Sequence, residues 1–213
     1  MYRVVKELRE VIQKNRYRSQ LGQRIAAVYG RDSEKYMVLI AALDLVAETH
    51  DKGKRKNGEL LKSHEYAMFA IAFIYCRIRD LSILLAILLH DMYEDYPEIW
   101  QIKIIGERFG QEVEKIVFAL TKPDERLFKD RGEYEQAIFA KVVHGGAKSV
   151  QVKCIDRLHN MLTLYGDRDK QIAKILQTIM FVLPLSVRSR FLTSELMLAT
   201  AEQVSKLKLQ QHN

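Results

Sequence analysis

A chain of 213 residues, 48% of them hydrophobic and with only 3 prolines and 10 glycines, suits one substantial globular domain with a full core and excludes a disordered or linker-rich chain. The net charge of +7 invites a polyanionic partner, and much of the excess sits in residues 1–35, where nine Lys/Arg face four Asp/Glu. Val4, Val5, Leu8, Val11 and Ile12 recur among those cations at helical spacing, which describes an amphipathic helix with a charged outer face rather than a nucleic-acid arm, and no zinc finger, helix-turn-helix or aromatic platform accompanies them.

Residues 3 to about 28 read as one long helix or a broken pair ending near Gly30. Asp32 or Ser33 caps the next helix, whose stripe is Tyr36, Ile40, Leu43, Ala47 and His50. A polar loop with two glycines, Asp51 to Gly58, follows and carries Lys52, Lys54, Arg55 and Lys56. Ser63 to about Arg77 is an apolar helix, and Asp80 or Ser82 starts another through Leu81–Leu89 that is apolar nearly all round. Glu98 to Phe109 is a short amphipathic helix, broken by Gly110 before Val113 to Leu120. From Lys122 to about Glu133 the sequence is charged and poorly periodic, the best candidate for a mobile segment. Glu135–Val143 resumes a helix, Gly145-Gly146 interrupts it, and Ala147 to about Tyr165 is a further helix. A last pair, roughly 169–182 and 189–208, is separated by Pro184.

Strand alternation and repeats are absent, so the fold expected is all-α. No charge-free apolar stretch is long enough to cross a bilayer, and Met1–Glu10 is charged rather than signal-like, which predicts a soluble, cytoplasmic protein without a membrane partner. Cys76 and Cys154 lie in apolar helical contexts with no CxxC pattern, so they are expected to be buried free thiols in a reducing compartment.

The stretch His90-Asp91-Met92-Tyr93-Glu94-Asp95 at the end of the apolar helix is the chemical centre of the sequence. On a continuing helix Glu94 lies four residues after His90, and Asp95 four after Asp91, so the later acids fall on the face of the first pair. Three carboxylates and an imidazole at the mouth of an apolar helix resist desolvation unless a cation compensates them. His64, His90, Asp91 and Asp156 come from three helices, the way helical domains assemble metal sites. Two nitrogens with carboxylate oxygens suit Mn²⁺, Fe²⁺ or Zn²⁺, leave positions open for water and substrate, and disfavour a closed structural zinc. Glu94 and Asp95 are placed to orient or deprotonate water and to pass a proton to a leaving group. Asp156, Asn160 and Thr163 share one helical face, and Arg55 and Lys56 lie within reach of a charged substrate held near His64.

In order and spacing, a histidine after a basic loop, then HD-x-x-ED, then D-R-L-H-N-M, the chain resembles the HD-domain phosphohydrolases, most closely the hydrolase domain of RelA/SpoT-type enzymes and stand-alone small alarmone hydrolases. The resemblance covers about residues 36–185, so residues 1–213 are expected to form a single HD-type domain, a bundle of about eight to ten helices with flanking helices at both ends. It implies a manganese-assisted hydrolase that removes pyrophosphate from the 3′ position of guanosine tetra- or pentaphosphate by attack of metal-bound hydroxide. It also implies metal ligation by His64, His90, Asp91 and Asp156, and Glu94 and Asp95 as catalytic acids. Arg55 and Lys56 match the pair at the base, Asn57 stands in the serine position beside them, and Asn160 and Thr163 match positions lining the nucleotide pocket. Other departures are Leu60-Leu61 in place of Pro-Tyr, Glu65 in place of proline after the first histidine, and Leu162 where arginine is common. All of them touch the substrate end, so the same chemistry on a deoxynucleotide monophosphate or another pyrophosphorylated nucleotide stays open, as does a module that senses a nucleotide without turning it over. The expected partner is a small nucleotide and not a nucleic acid; association into homo-oligomers is open. His50 is read as packed or supporting the site, His159 as a hydrogen-bonded histidine near it, Tyr93 and Tyr96 as packing residues at its edge, and Lys153 as exposed or phosphate-facing.

Overall fold

The structure is a computed structural model that describes residues 2–50, 53, 58 and 60–209. Arg55, Lys56 and Asn57, the loop residues expected at the base, lie outside the described residues. Among the described residues there is no β-sheet, and the chain is helical throughout: α1 Arg3–Lys14, α2 Arg18–Tyr29, α3 Glu34–Thr49, α4 Lys62–Ala70, α5 Leu81–Asp95, α6 Ile102–Phe109, α7 Gln111–Leu120, α8 Arg131–His144, α9 Ala147–Leu162, α10 Arg168–Gln177, α11 Leu183–Ser189 and α12 Thr193–Leu209. A π-helical segment, Ile71–Tyr75, continues α4, and another, Thr178–Val182, joins α10 to α11 into one continuous 22-residue helix. The all-α expectation holds.

The centre of the fold is α5, which packs against α3, α4, α7 and α9. Every residue from Ile83 to Leu89 is buried, and Leu84, Ile87 and Leu88 are fully so. Burying such a side chain contributes about 1.5–3 kcal/mol, so the run Leu81–Leu89 drives α5 to the middle of the bundle and its sequel His90-Asp91 with it. Asp80 starts the helix as expected, its carboxylate accepting from the Ile83 amide at 3.2 Å. Ser33 likewise caps α3 through the Tyr36 amide at 3.1 Å.

The amino-terminal region is a broken pair: α1 stops where Asn15, itself buried, turns its amide back to the Val11 carbonyl at 2.7 Å. The buried stripe of α3 is Leu39, Ala42, Leu43, Val46 and then His50, so Tyr36, Ile40 and Ala47 flank the core rather than lead into it. Helix α8 begins at Arg131, four residues before the expected start, because Asp130 accepts from the Glu133 amide at 3.0 Å. The segment before it holds a 3₁₀ turn, Glu125–Leu127, capped by Asp124.

Pro184 does not separate two helices. It falls at the start of α11, directly after the π-helical Thr178–Val182, where the wider turn accommodates its ring and a missing N–H is tolerated. The break comes instead at Arg190 and Leu192, both left-handed at φ 53° and 55°. By length and composition alone the continuous helix Arg168–Ser189, with an 18-residue stretch of mean hydropathy 1.3, is apolar enough to cross a membrane. It packs on α9 and α12 through Ile175, Thr178, Val182 and Ser186, and leaves Leu176, Met180 and Val187 exposed. Cys76 and Cys154 are free, with Cys154 buried and Cys76 partly so.

Between α8 and α9 the two glycines do different work. Gly146, at φ 90°, supplies the left-handed residue that starts α9. A Cβ at Gly145 would collide with the Ala119 methyl of α7 and with the Ser149 side chain, whose Cβ would lie 2.9 Å away. Gly145→Ala is therefore expected to push α9 from α7 and cost about 1–3 kcal/mol, read as a lower urea midpoint; an unchanged midpoint would show that this approach is not tight.

Candidate metal and catalytic centre

Three of the sequence-predicted ligands converge. One donor atom each from His64 near the start of α4, His90 in α5 and Asp156 in α9 lies within 4.8 Å of the others, and all three residues are buried. His64 Nε2 is 3.4 Å from Asp156 Oδ1. Asp91, partly exposed, stands beside both rings, with Oδ1 3.1 Å from His90 Nε2 and Oδ2 3.9 Å from His64 Nε2.

The hydrogen bonds on the far sides of the rings aim them. His90 Nδ1 lies 3.0 Å from the Ile87 carbonyl, which only accepts, so Nδ1 carries the proton and Nε2 turns a lone pair toward the carboxylates. His64 Nδ1 lies 2.7 Å from His159 Nδ1. One of that pair donates, and donation by His64 leaves the Nε2 lone pair as its ligand atom. His159 is thus the hydrogen-bonded histidine near the site that the sequence leads one to expect, and it orients His64. Two imidazole nitrogens and oxygens from two carboxylates, with no thiolate, fit a borderline or hard divalent ion.

Asp156 is held on every side. Its Oδ2 accepts from Lys153 Nζ at 2.9 Å and its Oδ1 from Asn160 Nδ2 at 2.5 Å. Burial works against ionisation, but Lys153, His64 and His90 outweigh it and hold the carboxyl well below the usual range. At Asp91 burial and Asp156 raise the pKa, whereas His90, His64 and Lys122 overcome them and keep it lowered. Lys153 is therefore neither exposed nor free for phosphate: it is buried against Asp156. Its i,i+3 spacing from Asp156 carried that signal in the sequence.

Glu94 and Asp95 end α5 in unlike environments. Both Glu94 oxygens are engaged by Lys122, at 2.6 Å from the backbone N–H and 2.6 Å from Nζ. Burial lowers the Lys122 pKa, but Glu94, Asp91 and Asp156 more than offset it, so the ammonium is strengthened. Nothing in the local pattern around Thr121-Lys122-Pro123 foretold this clamp, which depends on how α7 ends beside α5. Asp95 is exposed, and desolvation, Asp91 and Glu94 together raise its carboxyl above the ordinary aspartate value.

The remaining expected residues spread around this centre. Asn160 bonds Asp156, and the Thr163 hydroxyl donates to the His159 carbonyl at 2.9 Å, so both lie on the α9 side. His50 is fully buried behind His64, with Nε2 4.0 Å from Glu65 Oε1 and its ring edge-on to Tyr96 at 5.3 Å. Burial lowers its pKa. Glu65, one of the departures noted above, is itself buried.

Comparison with known proteins places the chain among relatives. The bifunctional (p)ppGpp synthase/hydrolase SpoT of Escherichia coli K12 is 31% identical over 148 residues, 66% of this chain and 20% of that protein. The guanosine-3′,5′-bis(diphosphate) 3′-pyrophosphohydrolase of Aquifex aeolicus is 32% identical over 153 residues, 69% of this chain and 21% of its own length. The chain thus spans about a fifth of the length of these curated relatives. The solved structure of a metazoan SpoT ortholog, described as hydrolysing ppGpp, matches in fold with a TM-score of 0.64 at 19% identity, over 82% of this chain and 96% of that one. The HD domain model matches residues 42–183, which spans α3 to α11 and takes in His64, His90, Asp91 and Asp156, and with that match the chain belongs to the HD-domain family.

Proposed function

We propose that this chain is a metal-dependent phosphohydrolase that removes the 3′-pyrophosphate of guanosine tetra- and pentaphosphate, with residues 1–213 acting as one HD-type domain and a nucleotide as its small-molecule partner. The observation that carries the reading is the convergence of His64, His90 and Asp156 beside Asp91, one helical turn from Glu94 and Asp95. The names of the relatives support the substrate.

His64 Nε2, His90 Nε2 and the Asp91 and Asp156 carboxylates would hold the ion, Mn²⁺ by preference. When bound, such an ion polarises a phosphoryl oxygen and lowers the pKa of water from about 15.7 to about 7. The chain's own groups do the rest. Glu94, held by Lys122, is oriented to accept a proton from the attacking water. As the water oxygen bonds to the 3′-linked phosphorus, the bond from that phosphorus to the ribose 3′ oxygen breaks. The 3′ oxygen then takes a proton from Asp95, whose raised pKa keeps it protonated to higher pH than an ordinary aspartate. Asn160 and Thr163 line the nucleotide side, and Arg55, Lys56 and Asn57 would meet the base. The two free thiols accord with a cytoplasmic, reducing setting.

Purified protein with Mn²⁺ is expected to release pyrophosphate from guanosine 3′,5′-bis(diphosphate), and EDTA to stop it. Asp95→Asn should lower kcat by about 10²–10⁴-fold while leaving metal binding intact. Protein that binds Mn²⁺ yet releases no pyrophosphate would refute the substrate assignment.

A further inference from the structure

The continuous helix Arg168–Ser189 carries an apolar face that no other described element covers. Its inner side packs on α9 and α12, and Phe181 stacks on Phe139 of α8 with ring centroids 4.7 Å apart, so the outer side is presented rigidly. Every exposed residue from Ile175 to Val187 is apolar: Leu176, Ile179, Met180, Pro184 and Val187, with Met180 65% and Val187 59% exposed. Leu176, Met180, Pro184 and Val187 follow one another at steps of four, four and three, which lines them along one side of the helix.

Charge frames this face without entering it. The 13 residues from Ile175 to Val187 hold none, whereas Arg168, Lys170 and Lys174 precede them and Arg188 and Arg190 follow, against the single acid Asp169. Beside Leu176 the face opens into a cleft of about 190 Å³ between α10 and α12. Ile172, Leu176, Val204 and Leu207 give the cleft an apolar lining, Arg168 and Lys208 complete it, and none of its residues is acidic. Arg168 Nη1 donates to the Leu207 carbonyl at 3.3 Å, which holds that cation at the rim.

This pattern discriminates between occupants. A second copy laid antiparallel on the helix would set Lys170 and Lys174 against Arg188 and Arg190, cation against cation. A folded partner fixes its register with about one hydrogen bond per 100–200 Å² of interface, and the side chains exposed between 175 and 187 can make none. A bilayer of anionic lipids requires neither, since acyl chains accept the apolar face and headgroups meet the cations around it. At 1.5 Å per residue the uncharged run is about 20 Å long, short of a hydrocarbon core of about 30 Å, and its inner side is held by the bundle. The contact is therefore one of lying on a bilayer and not of crossing it. Lack of a spanning segment, the ground for expecting no membrane partner, does not bear on such a contact.

We propose that the outer face of α10–α11, together with the cleft beside Leu176, docks this protein peripherally on an anionic lipid surface. Leu176, Met180 and Val187 enter among the acyl chains, and Arg168, Lys174, Arg188 and Lys208 meet the headgroup phosphates.

Co-sedimentation of the full chain with vesicles of mixed phosphatidylcholine and phosphatidylglycerol, against vesicles of phosphatidylcholine alone, tests this. The parent is expected to bind the mixed vesicles at least about tenfold more tightly, and to lose that preference in about 1 M salt. Met180→Glu and Arg188→Glu, both at exposed positions, should each weaken binding to the mixed vesicles about tenfold. Met37→Glu, at a methionine 56% exposed on α3, should leave it as in the parent. Binding to neither vesicle, equal binding to both, undiminished binding by Met180→Glu and Arg188→Glu, or an equal loss in Met37→Glu overturns the proposal. A dimer that Met180→Glu dissolves, without vesicle binding, would assign the face to a second copy and overturn it too.

Discussion

Asp156→Ala is expected to abolish two properties at once. Activity should fall at least about 10³-fold, because the proposed ion would lose an oxygen ligand and His64 Nε2 its neighbouring carboxylate. Stability of the metal-free protein should fall by about 3–5 kcal/mol, because the buried Lys153 ammonium is left without its carboxylate. Urea unfolding in EDTA separates this from any metal effect. Lys153→Met in the same chain removes the stranded charge and is expected to recover most of the stability and none of the activity. If Asp156→Ala unfolds at the parent midpoint, Lys153 has another partner or an easy escape to water, and the buried pair is not what organises α9. The pH dependence has a definite sign. The folded carboxyl lies well below its unfolded value of about 3.9, so the pair's contribution is complete at neutral pH and is lost as the pH falls through the folded value. Raising the pH from 5 to 8 should add nothing through this group.

Phe69→Ala should be the most damaging change away from the chemistry. The ring is wholly buried in α4, five residues after His64, and stacks on Phe73 with centroids 5.4 Å apart. Removing it leaves a cavity between α4 and its neighbours, at an expected cost of about 3–5 kcal/mol. For a chain of this size that corresponds to roughly 2–4 °C in Tm per kcal/mol. Bound Mn²⁺ should recover part of the loss by mass action, since the folded state alone presents the ligand set. A Tm within a degree of the parent would mean that the site collapses around the gap.

The sequence announced the parts of this protein that depend on local pattern. Leu81–Leu89 is apolar enough to be central wherever it packs, and Asp80 and Ser33 are caps by chemistry alone. His64, His90, Asp91 and Asp156 were recognisable because their order and spacing restrict how the helices can assemble, and three of them do converge. What stayed hidden depends on long-range placement. The Lys122 clamp on Glu94 joins residues 28 apart, and Arg157, next to Asp156, reaches across to the Lys174 carbonyl of α10. The helix running through Pro184 escaped a rule that is sound for α geometry, because a π-helical segment precedes that proline. On α3 the expected Leu43 and His50 are buried, whereas Tyr36, Ile40 and Ala47 give way to Leu39, Ala42 and Val46 as the buried residues, a shift within reach of periodicity when a helix is apolar on more than one face.

The base of the cationic loop bears on how such a protein diversifies. The chain leaves at Gly53 and returns at Leu61, and the two meet through the Leu61 amide and the Gly53 carbonyl at 2.9 Å. A Cβ on Gly53 would come within 3.1 Å of the Tyr96 hydroxyl, so the stem is wedged against the end of the very helix that bears the HD dyad. Gly53 and Leu61 thus form a fixed junction, and lengthening a connection between two such fixed ends costs only about 0.6 kcal/mol per doubling. On the proposed function, ligand preference and hydrolytic machinery can therefore be inherited separately: the segment between Gly53 and Leu61 can be rewritten while the bundle that brings His64, His90 and Asp156 together passes unchanged.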